Sequence, residues 1–277
     1  MEYRESPPPP ELAHLLQCVW SLEGHASELG DAMQPVLPDG RPELIVHFGD
    51  AFERIDSRGE WVKQSHALLA GQLDRQLVLR PTGTIAVVGL RFRACGASGV
   101  LDGPLDRLTG ETLALDDVSP ALADAVRSVR DDTESADEGA RLLVARTRSL
   151  FAAAGIDARV QRAVDLIDAT RGRVTMDDVA AAAGMTRRHL ERRFRETVGL
   201  SPKRLARIAR FQHAIATLEG TDGPGRGART AVACGYADQA HFIRDFTALA
   251  GCAPGEHLLR RGQMTGFFTA GVTPQPD

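Results

Sequence analysis

One pattern of glycine, apolar residues and proline occurs twice in the last third of this chain. The first copy is Gly184…Leu190…Phe194…Gly199…Pro202, and the second is Gly235…Phe242…Phe246…Gly251…Pro254. Phe to Gly spans five residues and Gly to Pro three in both copies, with the leading turn one residue longer in the second. Agreement at five positions, 51–52 residues apart, marks one supersecondary unit used twice.

Each copy can be built from local rules. Thr175 is an N-cap for Met176 onward, and Asp177 and Asp178 suit the positive end of a helix dipole. Val179 and Ala183 share a face, and Gly184 ends the helix where positive φ is cheap only for glycine. Thr186 caps a second helix running through Val198, with Leu190 and Phe194 four apart on its buried face. Its other face carries Arg187, Arg188, Arg192 and Arg195. A short helix, a glycine turn and a helix with a cationic outer face describe a helix-turn-helix with a recognition helix. In the second copy the spacing predicts a short helix from Thr230 to Cys234 and a turn at Gly235. Asp238 then caps a helix with Phe242, Phe246 and Leu249 inward. Gln239, His241 and Arg244 project outward, and Ala240 is small enough to face a thymine methyl.

Ser201-Pro202 opens a linker helix that reaches Leu218, with Leu205, Ile208, Ala209 and Ile215 at helical spacing. About 17 residues at ~1.5 Å each give a rod of ~25 Å. With helix and turn widths added, that suits two recognition helices in major-groove segments ~34 Å apart. The Gly-rich stretch Glu219–Gly227 is expected to be a flexible loop.

Charge divides along the same line. The whole chain of 277 residues carries a net −4, but residues 155–262 carry a net +6 and the remainder −10. A basic module on an acidic partner domain follows, although a basic segment alone is often only a solvated surface.

Residues 1–118 read as β-rich. Glu43–Phe48 follows the turn Pro38-Asp39-Gly40, Thr84–Phe92 follows Pro81-Thr82-Gly83, and Leu77–Leu79 is a further short run. Short strands between Gly and Pro turns predict a small barrel or sandwich. Residues 119–154 read as a helix pair, Leu122, Val126 and Val129 on the first and Leu143 and Leu150 on the second. The pair serves as a connector and is compatible with dimerisation. The fold expected is therefore α+β. A β-rich sensor domain occupies 1–118, a helical connector 119–154, and an all-α domain with two helix-turn-helix units 155–262. A flexible tail occupies 263–277.

The C-terminal segment resembles the AraC/XylS family of bacterial regulators over about 100 residues, Arg159 to His257. The resemblance is carried by Arg187–Glu196, by Gly199-Leu200-Ser201-Pro202 and by Gly235–Phe242. Two features depart from the family: Thr230 stands where an aliphatic residue is usual, and the loop before it is long and Gly-rich. The resemblance implies base contacts from Arg188, Glu191 and Arg192 on the first recognition helix. On the second it implies them from Gln239, Ala240, His241 and Arg244. Arginine pairs bidentately with guanine, and a carboxylate accepts from cytosine N4. Half or more of protein–DNA hydrogen bonds go to the backbone, and Arg187, Arg195 and Lys203 are assigned to phosphate. Glu191 is open between a base contact and none, and His241 between a base edge and the backbone. The stretch Pro38–Ile45 resembles the start of an uncharacterised N-terminal domain found in some members of that family.

Other chemistry finds little support. Cys18, Cys95, Cys234 and Cys252 are scattered without a CxxC pair. His47 and His66 lack the spacing of a barrel metal site, and Trp20, Trp61, Phe48 and Phe92 are as suited to a core as to a ligand pocket. No catalytic residues, metal or cofactor are expected, and the chain is not read as an enzyme. The alternative is a DNA-repair or other enzyme fused to such a module. Repair enzymes of that kind rely on reactive and zinc-bound cysteines, and Cys18 and Cys95 have no such context. A non-specific architectural binder is disfavoured by the modest charge of the module. The function expected is sequence-specific regulation of transcription on double-stranded DNA, in the cytoplasm, with no signal peptide and no membrane partner. The further partners this role admits are a small-molecule effector at the N-terminal domain, RNA polymerase and a second copy as a homodimer.

Overall fold

The computed structural model describes residues 1–259 apart from 30–32, 57, 102 and 153. Alternating residues in its first half build strands β1 (Glu2–Ser6), β2 (Leu16–His25), β3 (Gln34–Val36), β4 (Glu43–His47) and β5 (Glu53–Ile55). They are followed by β6 (Trp61–Lys63), β7 (Ala67–Ala70), β8 (Leu77–Arg80), β9 (Thr84–Phe92) and β10 (Thr112–Ala114). All pairing is antiparallel. One sheet has the order β1-β2-β9-β4-β7-β10 and the other β3-β8-β5-β6. The sheets are open; no closed barrel forms among the described residues.

The larger sheet is covered on both faces. Register sets Leu44 and Val19 opposite Leu90. Leu44, Val46, Val88, Leu90 and Phe92 thereby share one face. That face meets helices α2 (Pro120–Asp132) and α3 (Ala136–Ala152), which follow the short helix α1 (Leu115–Val118), through Leu122, Val126, Leu143 and Phe151. Leu150, expected inward, is exposed, and Phe151 beside it takes the buried position. The other face, with Cys18, Trp20, Leu22, Ile85 and Val87, packs on Phe52 and Leu79 of the second sheet. Gly89 lies beneath the Trp20 indole, where an added Cβ would stand 2.1 Å from the ring. Arg91 is buried on this face and donates to Glu43 at 2.6 Å, with Asp39 at 3.8 Å. Burial pushes the Asp39 carboxyl up to about 6 against the pull of Arg91. The four aromatic residues considered for a pocket are dispersed. Trp20 lies between the sheets and Phe92 under Phe151. Trp61 lies beneath the Arg80 guanidinium, and Phe48 against Gly139.

The second half is helical: α4 (Ala158–Ala169), α5 (Met176–Ala183), α6 (Arg187–Val198), α7 (Pro202–Glu219), α8 (Arg226–Ala233), α9 (Gln239–Ala250) and α10 (Pro254–Leu259). One apolar core unites them around Phe194, Phe211, Phe242 and Phe246, with Phe211 and Phe246 edge to face at 5.2 Å. Helix α8 starts at Arg226, four residues before the start expected at Thr230. The loop expected to be flexible is tied down on its C-terminal side: Arg226 pairs with Asp222, and Arg229 donates to the Asp222 carbonyl at 2.6 Å. The expected tail, 263–277, lies outside the described residues. No helix among the described residues is long and apolar enough to cross a membrane.

Candidate nucleic-acid interface

The first unit is assembled by its caps. The Thr175 hydroxyl accepts from the Asp178 amide to start α5, and Gly184 ends it at φ 62°. The Thr186 hydroxyl accepts from the His189 amide to start α6, and Gly199 ends it at φ 88°. Leu190, Phe194, Thr197 and Val198 are buried, so the opposite face of α6 is turned outward. Arg193 flanks the core side and pairs with Asp157, the N-cap of α4, at 2.8 Å. This ties the recognition helix to α4.

The second unit repeats the first with a fixed shift. Asp238 accepts from the His241 amide to start α9, and Gly251 ends it at φ 70°. Helices α6 and α9 both have 12 residues. The buried set of α9, Phe242, Phe246, Leu249 and Ala250, is that of α6 moved by 52 residues. Asp245 binds Arg207 and accepts from the Tyr236 hydroxyl at 3.3 Å, which anchors α9 to the linker α7. In α8, Thr230 occupies the buried place that Val179 holds in α5, and its hydroxyl has no partner among the described residues.

The expected contact residues fall unevenly on these faces. Arg188, Arg192 and Arg195 are exposed on α6, with Glu191 half-buried beside them. Arg192 lies 3.5 Å from Glu196 and Arg195 3.8 Å from Glu191, while Arg188 has no ion pair among the described residues. Such exposed i,i+4 pairs are worth only ~0.3–0.5 kcal/mol, so they do not hold these arginines back from a stronger partner. Arg187 pairs with Asp177 across the turn, and its hydrogen bonds hold the Asp177 carboxyl below the usual range. Lys203 is exposed at the start of α7. On α9, Ala240 and Arg244 are exposed; Gln239 is also exposed and lies against Gly227. His241 packs edge-on against Tyr236 at 5.3 Å, in the register of His189. The outward positions Ile243 and Thr247 were not singled out from sequence, although the 52-residue repeat places them opposite Glu191 and Arg195.

The sheet half holds the helical half near the C-terminal ends of α6 and α9, and its residues 98–107 face the outer side of α6 across a cleft. The Thr109 hydroxyl donates to the Gly199 carbonyl, at the C-terminus of α6, at 2.5 Å. The Gln76 amide donates to the Leu249 carbonyl, in the last turn of α9, at 2.8 Å. Between them, Gln212 of α7 donates to the Pro38 carbonyl at 2.5 Å, and Arg204 pairs with Asp74 at 2.7 Å. Leu37, Ala94 and Cys95 complete the helical core. Both recognition helices are therefore held near their C-terminal ends, while their N-terminal turns are exposed. A cleft of about 1150 Å³ lies between Ser98, Pro104 and Arg107 on one side and Arg188, Arg192 and Arg193 on the other.

Comparison with known proteins bears on both halves. Residues 179–260 match a family described as a helix-turn-helix domain, and residues 4–114 match a domain of unknown function (DUF6597). The HTH-type transcriptional regulator MtrA of Neisseria gonorrhoeae is 32% identical over 98 residues, 35% of this chain and 32% of that protein. The match thus spans about a third of that relative's length. A probable AraC family transcriptional regulator from Rhodopseudomonas palustris is 29% identical. It covers 38% of this chain and 99% of its own, with a TM-score of 0.34. ToxT from Vibrio cholerae covers 94% of this chain and 98% of its own at 10% identity, with a TM-score of 0.48.

Proposed function

We propose that this chain, which belongs to the AraC/XylS family of transcriptional regulators through its C-terminal domain, reads a bipartite DNA site with α6 and α9. The observation that carries the reading is the shared register of the two helices: the same length, a side-chain N-cap and a left-handed glycine at the end of each, and the same buried positions. Arg188 and Arg192 suit guanine edges, and Glu191 suits cytosine N4 if it leaves Arg195. Ala240 and Arg244 are their counterparts on α9. Lys203 and Arg195 suit phosphates, and Arg187 joins them if it releases Asp177. The role is regulatory rather than enzymatic, on DNA in the cytoplasm, and RNA polymerase is the partner that a regulator bound beside a promoter engages. Sequence selection from a random DNA library with the full chain tests this. A two-part motif is expected, and enrichment of no motif would overturn it.

A second reading concerns control. The sheet half, residues 1–118, touches α6, α7 and α9 together, so it can set the spacing between the two reading helices. An effector, or a second copy of the chain, acts by favouring one arrangement of these contacts over another. The cleft beside Arg188 and Arg192 is space at which such a change reaches the reading face. Replacing Gln76 by Pro removes the amide that holds α9, and Thr109→Ala removes the hydroxyl that holds α6. The double variant is expected to tolerate half-site spacings that the parent chain rejects. An unchanged spacing preference would exclude the sheet half as the ruler.

A further inference from the structure

The shift of 52 residues converts each reading position of α6 into one on α9. Arg188, Glu191, Arg192 and Arg195 become Ala240, Ile243, Arg244 and Thr247. Three polar or charged positions of the first face are thus small or aliphatic on the second. Ile243 is 39% exposed and lies outside the fully buried stripe of the helix. Val198 and Ala250 close the buried stripes of the two helices, so Ile243 lies at the edge of the reading face, as Glu191 does.

The major groove offers one apolar group, the C5-methyl of thymine. Side chains without donors or acceptors gain nothing from guanine, cytosine or adenine edges and leave those polar edges unpaired. Against a thymine methyl they bury apolar surface on both sides without desolvating a polar group. Building on the proposed DNA-reading role, we infer that α9 recognises thymine methyl groups. Ile243 is the principal specificity residue, Ala240 and the Thr247 methyl flank it, and Arg244 is the polar contact of that half-site. The two half-sites then differ in chemistry: the α6 half is read through hydrogen bonds to guanine, and the α9 half through methyl contacts.

The test uses the full chain and the site recovered by selection. Arg192→Ala identifies the α6 half as the one whose base preference relaxes. Uracil then replaces thymine, one position at a time, in the other half. Uracil pairs as thymine does and lacks only the methyl. Binding is expected to weaken about fourfold for each methyl that is contacted. Ile243→Ser is expected to bind thymine and uracil sites alike at its position, whereas Ile243→Val keeps most of the difference and controls for folding. Uracil without effect anywhere in the α9 half, or Ile243→Ser retaining full methyl discrimination, would overturn the inference while leaving bipartite recognition intact. Failure of selection to yield any motif would overturn both.

Discussion

Replacing Thr230 by valine is expected to stabilise the second helix-turn-helix unit. Thr230 is fully buried in α8 and its hydroxyl has no hydrogen-bond partner among the described residues. A buried hydroxyl without a partner costs about 1–3 kcal/mol of desolvation, because its bonds to water are lost in the folded state and not replaced. Valine has nearly the same shape, and both residues are β-branched with similar helix propensity, so backbone terms nearly cancel. The corresponding place in the first unit is Val179, also fully buried, so the site geometry accepts valine. A gain of ~1–2 kcal/mol corresponds to a factor of roughly 5–30 in the opening equilibrium. Hydrogen exchange across 226–234 reads this directly, since the described residues form three separate apolar cores and a single melting temperature is ill-defined. Protection of those amides should rise by that factor in Thr230→Val. Thr230→Ser, which keeps the hydroxyl and loses the methyl, should lower protection. Equal or lower protection in the valine variant would mean that the hydroxyl is bonded after all, and the reasoning would fail.

Arg192→Ala should cost ~1–3 kcal/mol on the selected site and relax preference at one base pair, measured by titration of single-base variants. A uniform loss across sequences would reassign Arg192 to phosphate. Lys203→Ala should instead weaken binding equally on all sequences and lower the slope of log affinity against log salt by about 1. His47 is buried edge-on to Phe52, and burial, with His66 adding to it, holds its pKa down to about 3. The unfolded chain therefore takes up this proton first as pH falls below ~6.5. Stability drops by up to ~1.4 kcal/mol per pH unit on the way to 3. Asp39 acts in the opposite sense between ~4 and 6, because its folded carboxyl is raised. The difference between wild type and His47→Phe isolates the histidine: denaturant midpoints of the two should diverge below pH 6.5. Parallel curves would show that His47 is not held neutral.

Local rules made the helical half legible. Thr175, Thr186, Ser201 and Asp238 all cap the helices assigned to them, and Gly184, Gly199 and Gly251 all take the left-handed conformation. These features depend on residues within one turn, which a sequence displays. The start of α8 was misplaced because Gly225 and Gly227 read as loop, whereas the side chains of Arg226 and Arg229 fold back to fix that loop. Strand β2 is less legible in sequence, although Cys18, Trp20 and Leu22 alternate. A register shift between Leu16 and Cys18 puts Leu16 on the face opposite Cys18, Trp20 and Leu22, and the long partner strand β9 lies far along the chain. The surroundings of the α9 candidates were less legible. The resemblance points to Gln239, Ala240, His241 and Arg244, and helical periodicity does not show that the turn sets Gln239 against Gly227 and His241 against Tyr236.

The proposed roles of the two units divide affinity and selectivity between charge on α6 and methyl contacts on α9. Helix α6 carries five arginines, and α9 carries one. Counterion release rewards the first helix on any DNA, so alone it would bind widely and be strongly weakened by salt. Apolar contacts reward the second only where a methyl is present, so alone it would bind too weakly to hold a site. Joined through α7 and braced by Thr109, Gln76, Gln212 and Arg204, the second encounter becomes intramolecular, with an effective concentration set by a short rigid spacer. A contribution of severalfold per methyl then acts on a complex that α6 has already formed. In the proposed scheme this brace lets a helix with one arginine take part in DNA recognition. A loosened interface should erode selectivity in the α9 half before it erodes affinity.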